Sequence, residues 1–153
     1  MDGFRAEYLS RGFTPTLVAL ANRGVRAPYM KASYPTITFP NHYTIATGLY
    51  PPDHGIIANR FYDPVFKTEF KLGSNESLKL RWWGGEPIWK TVEKQGKKSA
   101  TFFWPGSEVE GNQPTYWFPY NESIPFEYRV DQVGTLFINL RCKYDDNYND
   151  SFL

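Results

Sequence analysis

Apolar residues recur at helical spacing in several windows of this chain. Over residues 14–24, Leu17, Leu20 and Ala21 share one face; Thr14 stands at the capping position and Pro15 in the first turn. Gly24 reads as the stop, with Arg23 beside the negative end of the helix. A second amphipathic helix is predicted near residues 40–47. A third spans 87–95, with Ile88, Trp89 and Val92 on one face and Gly96 as terminator. Another begins at 126–133. Between them the pattern is extended: Val25–Met30, Ile56–Phe61, an alternating run at Phe66–Leu72, and the aromatic stretch Ser99–Trp104 closed by Pro105-Gly106. The segment 48–53, with Pro51 and Pro52, predicts a loop. Asp2-Gly3-Phe4-Arg5 reads as the turn after a buried strand with no strand before it, so the chain is expected to begin one strand late.

Helices alternating with short hydrophobic strands predict an α/β layer structure with a largely parallel sheet. Ligands of such sheets sit beyond the C-terminal strand ends, where Asp2 and the turn before residue 40 fall.

Composition narrows the function. At 153 residues and 41% hydrophobic content the chain suits one domain with a core, and its 12 Phe, 11 Tyr and 5 Trp make that core aromatic. A net charge of +1 without a basic run argues against an electrostatic nucleic-acid binder. No apolar run is long enough for a transmembrane span, and no charged-then-apolar leader is visible. The lone Cys142 offers neither an intrachain disulfide nor zinc-finger spacing. Sequons at Asn75, Asn121 and Asn149 hint at a secretory route or mark ordinary surface loops. Character changes after Val133, and the acidic, Asn-rich run 145–150 predicts a solvated, disordered tail.

The segment Pro35-Thr36-Ile37-Thr38-Phe39-Pro40-Asn41-His42 carries the candidate chemistry. A helix N-terminus presents unpaired N–H groups that receive phosphate oxygens. A hydroxyl at that point can attack phosphorus once a metal or base activates it. The competing reading makes Thr38 an N-cap.

Several motifs then occur in order. Asp2-Gly3-Phe4-Arg5-Ala6-Glu7-Tyr8-Leu9, the run Tyr34–Tyr43, Thr47-Gly48-Leu49-Tyr50-Pro51 and His54-Gly55-Ile56-Ile57 are similar to the ecto-nucleotide pyrophosphatase/phosphodiesterase family. Gly85-Glu86-Pro87-Ile88-Trp89, the run Phe102–Ser107 and the run Pro119–Glu127 extend the likeness over residues 2–133, a partial catalytic domain (1–133) followed by a non-matching tail (134–153). The resemblance implies the alkaline phosphatase superfamily: an α/β core holding two zinc ions and a hydroxyl nucleophile. By position it implies Asp2 as a zinc ligand, and Thr38 as metal-bound nucleophile forming a phosphothreonine intermediate. It implies Asn59 as donor to a non-bridging phosphate oxygen, with Asn59 as a plain turn-former the alternative. Phe39 and Tyr120 would sandwich a nucleobase, and Leu72 and Trp104 would wall the nucleotide pocket; taken singly, each aromatic fits core packing as well.

His42 and His54 match no ligand position and read as structural, and Trp82-Trp83 reads as packing. No His follows His54, so most ligands of a dinuclear zinc site are missing. The expectation is therefore a fragment truncated at both ends, inactive by itself, from a phosphodiesterase at the cell surface or outside the cell. The substrates it implies are nucleotides. Lipid phosphodiesters, or a short non-catalytic isoform binding a nucleotide or a partner, are the alternatives.

Overall fold

The computed structural model of the chain describes residues 2–145. Its order is a 3₁₀ turn at Ala6–Arg11, α1 (Pro15–Arg23), α2 (Thr38–Thr47), α3 (Pro51–His54), β1 (Arg60–Asp63) and β2 (Thr68–Lys71). Two further 3₁₀ turns follow at Asn75–Leu78 and Leu80–Trp82, then α4 (Ile88–Lys94), β3 (Ala100–Phe102), β4 (Tyr116–Phe118) and α5 (Phe126–Asp145).

Local chemistry explains the helix ends. α2 closes on Gly48 in the left-handed region (φ 71°), whose N–H donates to Thr44 O at 2.8 Å. The expected loop 48–53 contains α3 instead. Two prolines preset φ in a first turn where their missing N–H groups cost nothing, and Gly55 ends it. Two expected caps of α1 take other forms. Thr14 makes no side-chain capping bond, and Gly24 is extended (φ −125°, ψ −156°). The change of character after Val133 falls inside α5, which runs on to Asp145 as helix; the remainder of the expected disordered tail lies outside the described residues.

The strands form two pairs. β1 and β2 are an antiparallel hairpin in the register Phe61↔Phe70 and Tyr62↔Glu69. Asp63 Oδ1 accepts from the N–H groups of Val65 and Phe66 at 2.7 and 2.8 Å and shapes the turn. β3 and β4 pair in parallel, Thr101 opposite Trp117, through the connection 103–115. Of the expected largely parallel arrangement, one of the two pairs among the described residues is thus parallel. Val25–Met30 joins neither.

The core lies between α2, the hairpin and α4: Tyr43, Ala46, Ile56, Phe70, Trp82, Trp83, Trp89 and Val109. Its rings meet edge to face, Tyr43 on Trp83 at 4.9 Å and 84°. Each buried indole N–H finds an oxygen: Trp83 donates to Ser77 O at 2.8 Å and Trp89 to Asn112 O at 2.6 Å. Trp82-Trp83 is therefore packing. Gly106 is required here, because a Cβ would lie 2.9 Å from the Trp83 and Tyr43 rings at a φ of 90°. No helix among the described residues is long and apolar enough to cross a membrane.

His54 is fully buried beneath α2. Its Nδ1 accepts the Ile56 N–H at 3.1 Å, which leaves Nε2–H to donate to Thr44 Oγ1 at 3.0 Å. Burial pushes its pKa below the ordinary histidine value. Below the unfolded value of about 6.5 the unfolded chain takes up a proton that the folded chain refuses. Stability should therefore fall as pH drops from about 6.5 toward the lower folded value. Urea unfolding at pH 7.5 and pH 5 checks this: the midpoint should drop in acid, and His54→Asn should flatten the change. An identical slope in the variant would refute it.

Candidate active site

Three of the candidate residues meet in a cleft of about 910 Å³. One wall is the N-terminal stretch Asp2–Glu7, another is the segment 26–32, and the floor is the entry to α2 with Asn59. Asp2, Thr38 and Asn59 all line it, although 57 positions separate the first from the last.

Thr38 is not the cap of α2. Ile37, extended at φ −121° and ψ 168°, occupies that position, and Thr38 is the first helical residue. Its hydroxyl has no hydrogen-bond partner among the described residues. The first-turn donors are few. Pro40 has no N–H, the Asn41 N–H reaches Ile37 O at 3.4 Å, and the Phe39 N–H donates to Asn59 Oδ1 at 3.1 Å. Among the described residues the Thr38 N–H has no acceptor, and Thr38 lines the cleft at the positive end of the helix dipole.

Asn59 directly precedes β1, and its carbonyl accepts the Leu72 N–H at 2.9 Å, extending the hairpin by one bond. With Oδ1 held by Phe39, its amide Nδ2 keeps both hydrogens for a ligand. Its side-chain bond runs to the first turn of α2, twenty residues away in the chain, and not within the segment 58–60. Beside it the cleft carries Arg5 and Glu7, paired at 3.1 Å and both largely exposed, an arrangement that contributes little to stability.

The four proposed nucleotide walls lie outside this cleft. The Phe39 ring turns into the core, 6.0 Å from Trp83. Trp104 donates its Nε1–H to His42 O at 3.2 Å and packs on the His42 ring at 5.2 Å. Leu72 is partly exposed beside Asn59, and Tyr120 is exposed with its ring 5.5 Å from Phe103. Phe39 and Tyr120 make no ring contact with each other. His42 Nδ1–H donates to Thr38 O at 2.8 Å, one turn back, a structural bond.

Sequence reasoning passed over Asn41, which lines the cleft and bonds to the loop before α2. Its signal was an amide side chain three residues after the hydroxyl, on a helix where Asn is otherwise unfavourable.

The carboxylate of Asp2 and the hydroxyl of Thr38 are suitable oxygen donors for a divalent ion. Among the described residues, however, no group of three or more His, Cys, Asp or Glu gathers that could hold one. The described residues alone do not make a zinc centre.

Comparison with known proteins shows the family. The family model described as type I phosphodiesterase / nucleotide pyrophosphatase matches residues 1–149. The chain is 54% identical to venom phosphodiesterase 2 of Crotalus adamanteus over 137 residues, which are 87% of this chain and 17% of that protein. It is 52% identical to human ectonucleotide pyrophosphatase/phosphodiesterase family member 1 over 134 residues, 85% of this chain and 14% of that protein. Among solved structures, murine ectonucleotide pyrophosphatase/phosphodiesterase 5 superposes with a TM-score of 0.79 at 38% identity, covering 86% of this chain and 36% of that one. An inactive threonine-to-alanine variant of the same murine protein, in complex with AMP, matches with the same TM-score at 37% identity, covering 87% of this chain and 36% of that one. The chain thus spans less than a fifth of these curated relatives.

Proposed function

Because the chain belongs to the type I phosphodiesterase / nucleotide pyrophosphatase family, we propose that it carries the nucleophile of a hydrolase acting on phosphodiester or pyrophosphate bonds of nucleotides. One observation carries this reading: a threonine hydroxyl with no partner among the described residues stands on the first residue of a helix, in one cleft with Asp2 and Asn59.

In the proposed reaction Thr38 Oγ1 forms a bond to phosphorus as the bond to the leaving oxygen breaks; the hydroxyl proton passes through water to the leaving oxygen, and the phosphothreonine that results still carries the nucleoside. Water then splits that ester and frees the nucleoside monophosphate. The Thr38 N–H and the Asn59 Nδ2–H supply donors where charge grows on the non-bridging oxygens. Neutral donors suit a diester, which carries less charge than a monoester. The two zinc ions belong to this proposal as a property of a family-length domain, with Asp2 and Thr38 among their ligands. The described residues bring together too few donors for such a pair, and the chain by itself is proposed to be inactive.

Nucleotides are favoured as substrates because a structural neighbour is an inactive threonine variant holding AMP. Phe39, Leu72, Trp104 and Tyr120 remain the proposed walls of the base pocket, on the resemblance of their positions to the family. The site of action is proposed to be the cell surface or extracellular space. The exposed sequons Asn75 and Asn121 are its proposed glycosylation sites.

A family-length protein containing this sequence, assayed with zinc, tests the reading. It should cleave the p-nitrophenyl ester of a nucleoside 5′-monophosphate at least about tenfold more efficiently than p-nitrophenyl phosphocholine. The reverse preference would replace the nucleotide with a lipid headgroup, and no cleavage of either would remove the phosphodiesterase reading.

A further inference from the structure

Granting the phosphodiesterase reading, we infer that Asn41 holds Thr38 in place for attack and touches no substrate, although its side chain lines the cleft. The chain enters α2 through residues 33–37, which belong to no helix and pair with no strand. Pro35 and Pro40 on either side of Thr38 have no N–H to anchor the turn. The Thr38 hydroxyl makes no bond that would hold it from within. Its position therefore follows from the backbone of Ile37, and something else must fix that backbone.

Asn41 does so. Its Nδ2 donates to Pro35 O and to Ile37 O, both at 2.9 Å, with a longer contact to Ser33 O at 3.4 Å. Its Oδ1 accepts the Ser33 N–H at 2.8 Å and the Ser33 hydroxyl at 3.1 Å. A carboxamide has two hydrogens to give and two lone pairs to fill, so Asn41 is saturated by the loop. Asn59, by contrast, keeps its amide hydrogens free. The two asparagines of the cleft thus divide the work: Asn59 faces a ligand and Asn41 faces the chain. The anchor itself is firm, since Ser33 is 8% exposed and its hydroxyl lies 3.5 Å from Thr44 Oγ1, the partner of buried His54.

Asn41→Asp tests this with almost no change of shape. It keeps an acceptor for Ser33 but removes both donors and sets a carboxylate oxygen against two carbonyls. In a family-length protein with the nucleotide nitrophenyl ester, kcat should fall about 100-fold, the loss expected from a slightly displaced nucleophile. KM should stay within about threefold, because no substrate contact is removed. Ser33→Ala deletes only the hydroxyl half of the anchor, and its kcat should lie between the two, which keeps the test decisive if the aspartate variant does not fold. A raised KM with kcat preserved would make Asn41 a substrate contact and overturn the inference, as would an unchanged kcat. Amide hydrogen exchange reads the same hold without activity in Asn41→Ala, which removes the acceptor of the Ser33 N–H along with both donors: the Ser33 and Ile37 amides should exchange at least about tenfold faster in that variant, while the buried Ile56 amide should not change. Unchanged exchange at Ser33 and Ile37 overturns the inference whatever the activity. Faster exchange there in a protein whose wild type cleaves no nucleotide ester upholds the grip of Asn41 on the turn, and the phosphodiesterase reading falls instead.

Discussion

In a family-length protein containing this sequence, Thr38→Ala should abolish turnover of a nucleotide ester, lowering kcat on the order of 10⁴-fold or more, as expected when a nucleophile is deleted. The expectation rests on what the hydroxyl does not do. It caps no helix, because Ile37 holds that position, and it bonds to no residue described. Alanine is also a good helix former at the first helical residue. The variant should therefore fold with an unfolding midpoint close to wild type and should bind AMP with nearly unchanged affinity. Thr38→Ser, which keeps the oxygen and loses only a methyl group, should retain much of the activity. Turnover by Thr38→Ala above about a tenth of wild type would show that another group attacks phosphorus. A large fall in stability would show instead that the hydroxyl is structural.

Asn59→Ala should cost about 10²–10³ in kcat, the range for losing one donor aimed at developing charge. Two functions are lost together: the Nδ2–H groups that face the cleft and the Oδ1 that receives the Phe39 N–H at 3.1 Å. Asn59→Asp separates them. Its carboxylate still accepts from Phe39, so the first turn of α2 stays pinned, but it presents negative charge to a phosphate. If donation to the substrate is what matters, the aspartate variant should be at least as inactive as the alanine variant. If pinning the helix is what matters, the aspartate variant should approach wild type, and Asn59 would move from the substrate side of the site to the supporting side.

Which parts of the structure could be read in the chain follows from the range of the interactions involved. α1 and α4 lie within one residue of the predicted bounds, and α2 begins two residues earlier than predicted, because prolines, glycines and apolar spacing act over a few residues. The same local rules also misled. Two prolines at 51–52 suggested a loop, but both suit a helical first turn, and burial of Pro51 and His54 selected the helix. β4 escaped notice because three residues, Tyr116–Phe118, carry no period, and their pairing with β3 depends on a connection whose path only the packed core fixes.

The site divides along the same line. Sequence by itself named its candidates: Asp2 and Thr38 stand in the quoted motifs and Asn59 two residues after one of them, and order and residue type are one-dimensional facts. The tertiary structure decided their partners. It put Ile37 rather than Thr38 at the cap, filled the hydrogen-bonding capacity of Asn41 with its own loop, and left that of Asn59 half open. It also turned Phe39 toward Trp83 and Trp104 toward His42 instead of toward the cleft. The physical reason is that a side chain's chemistry is set by which of its donors, acceptors and faces remain unspent after folding. That depends on partners such as Asn59 and Phe39, twenty residues apart in the chain and 3.1 Å apart in space.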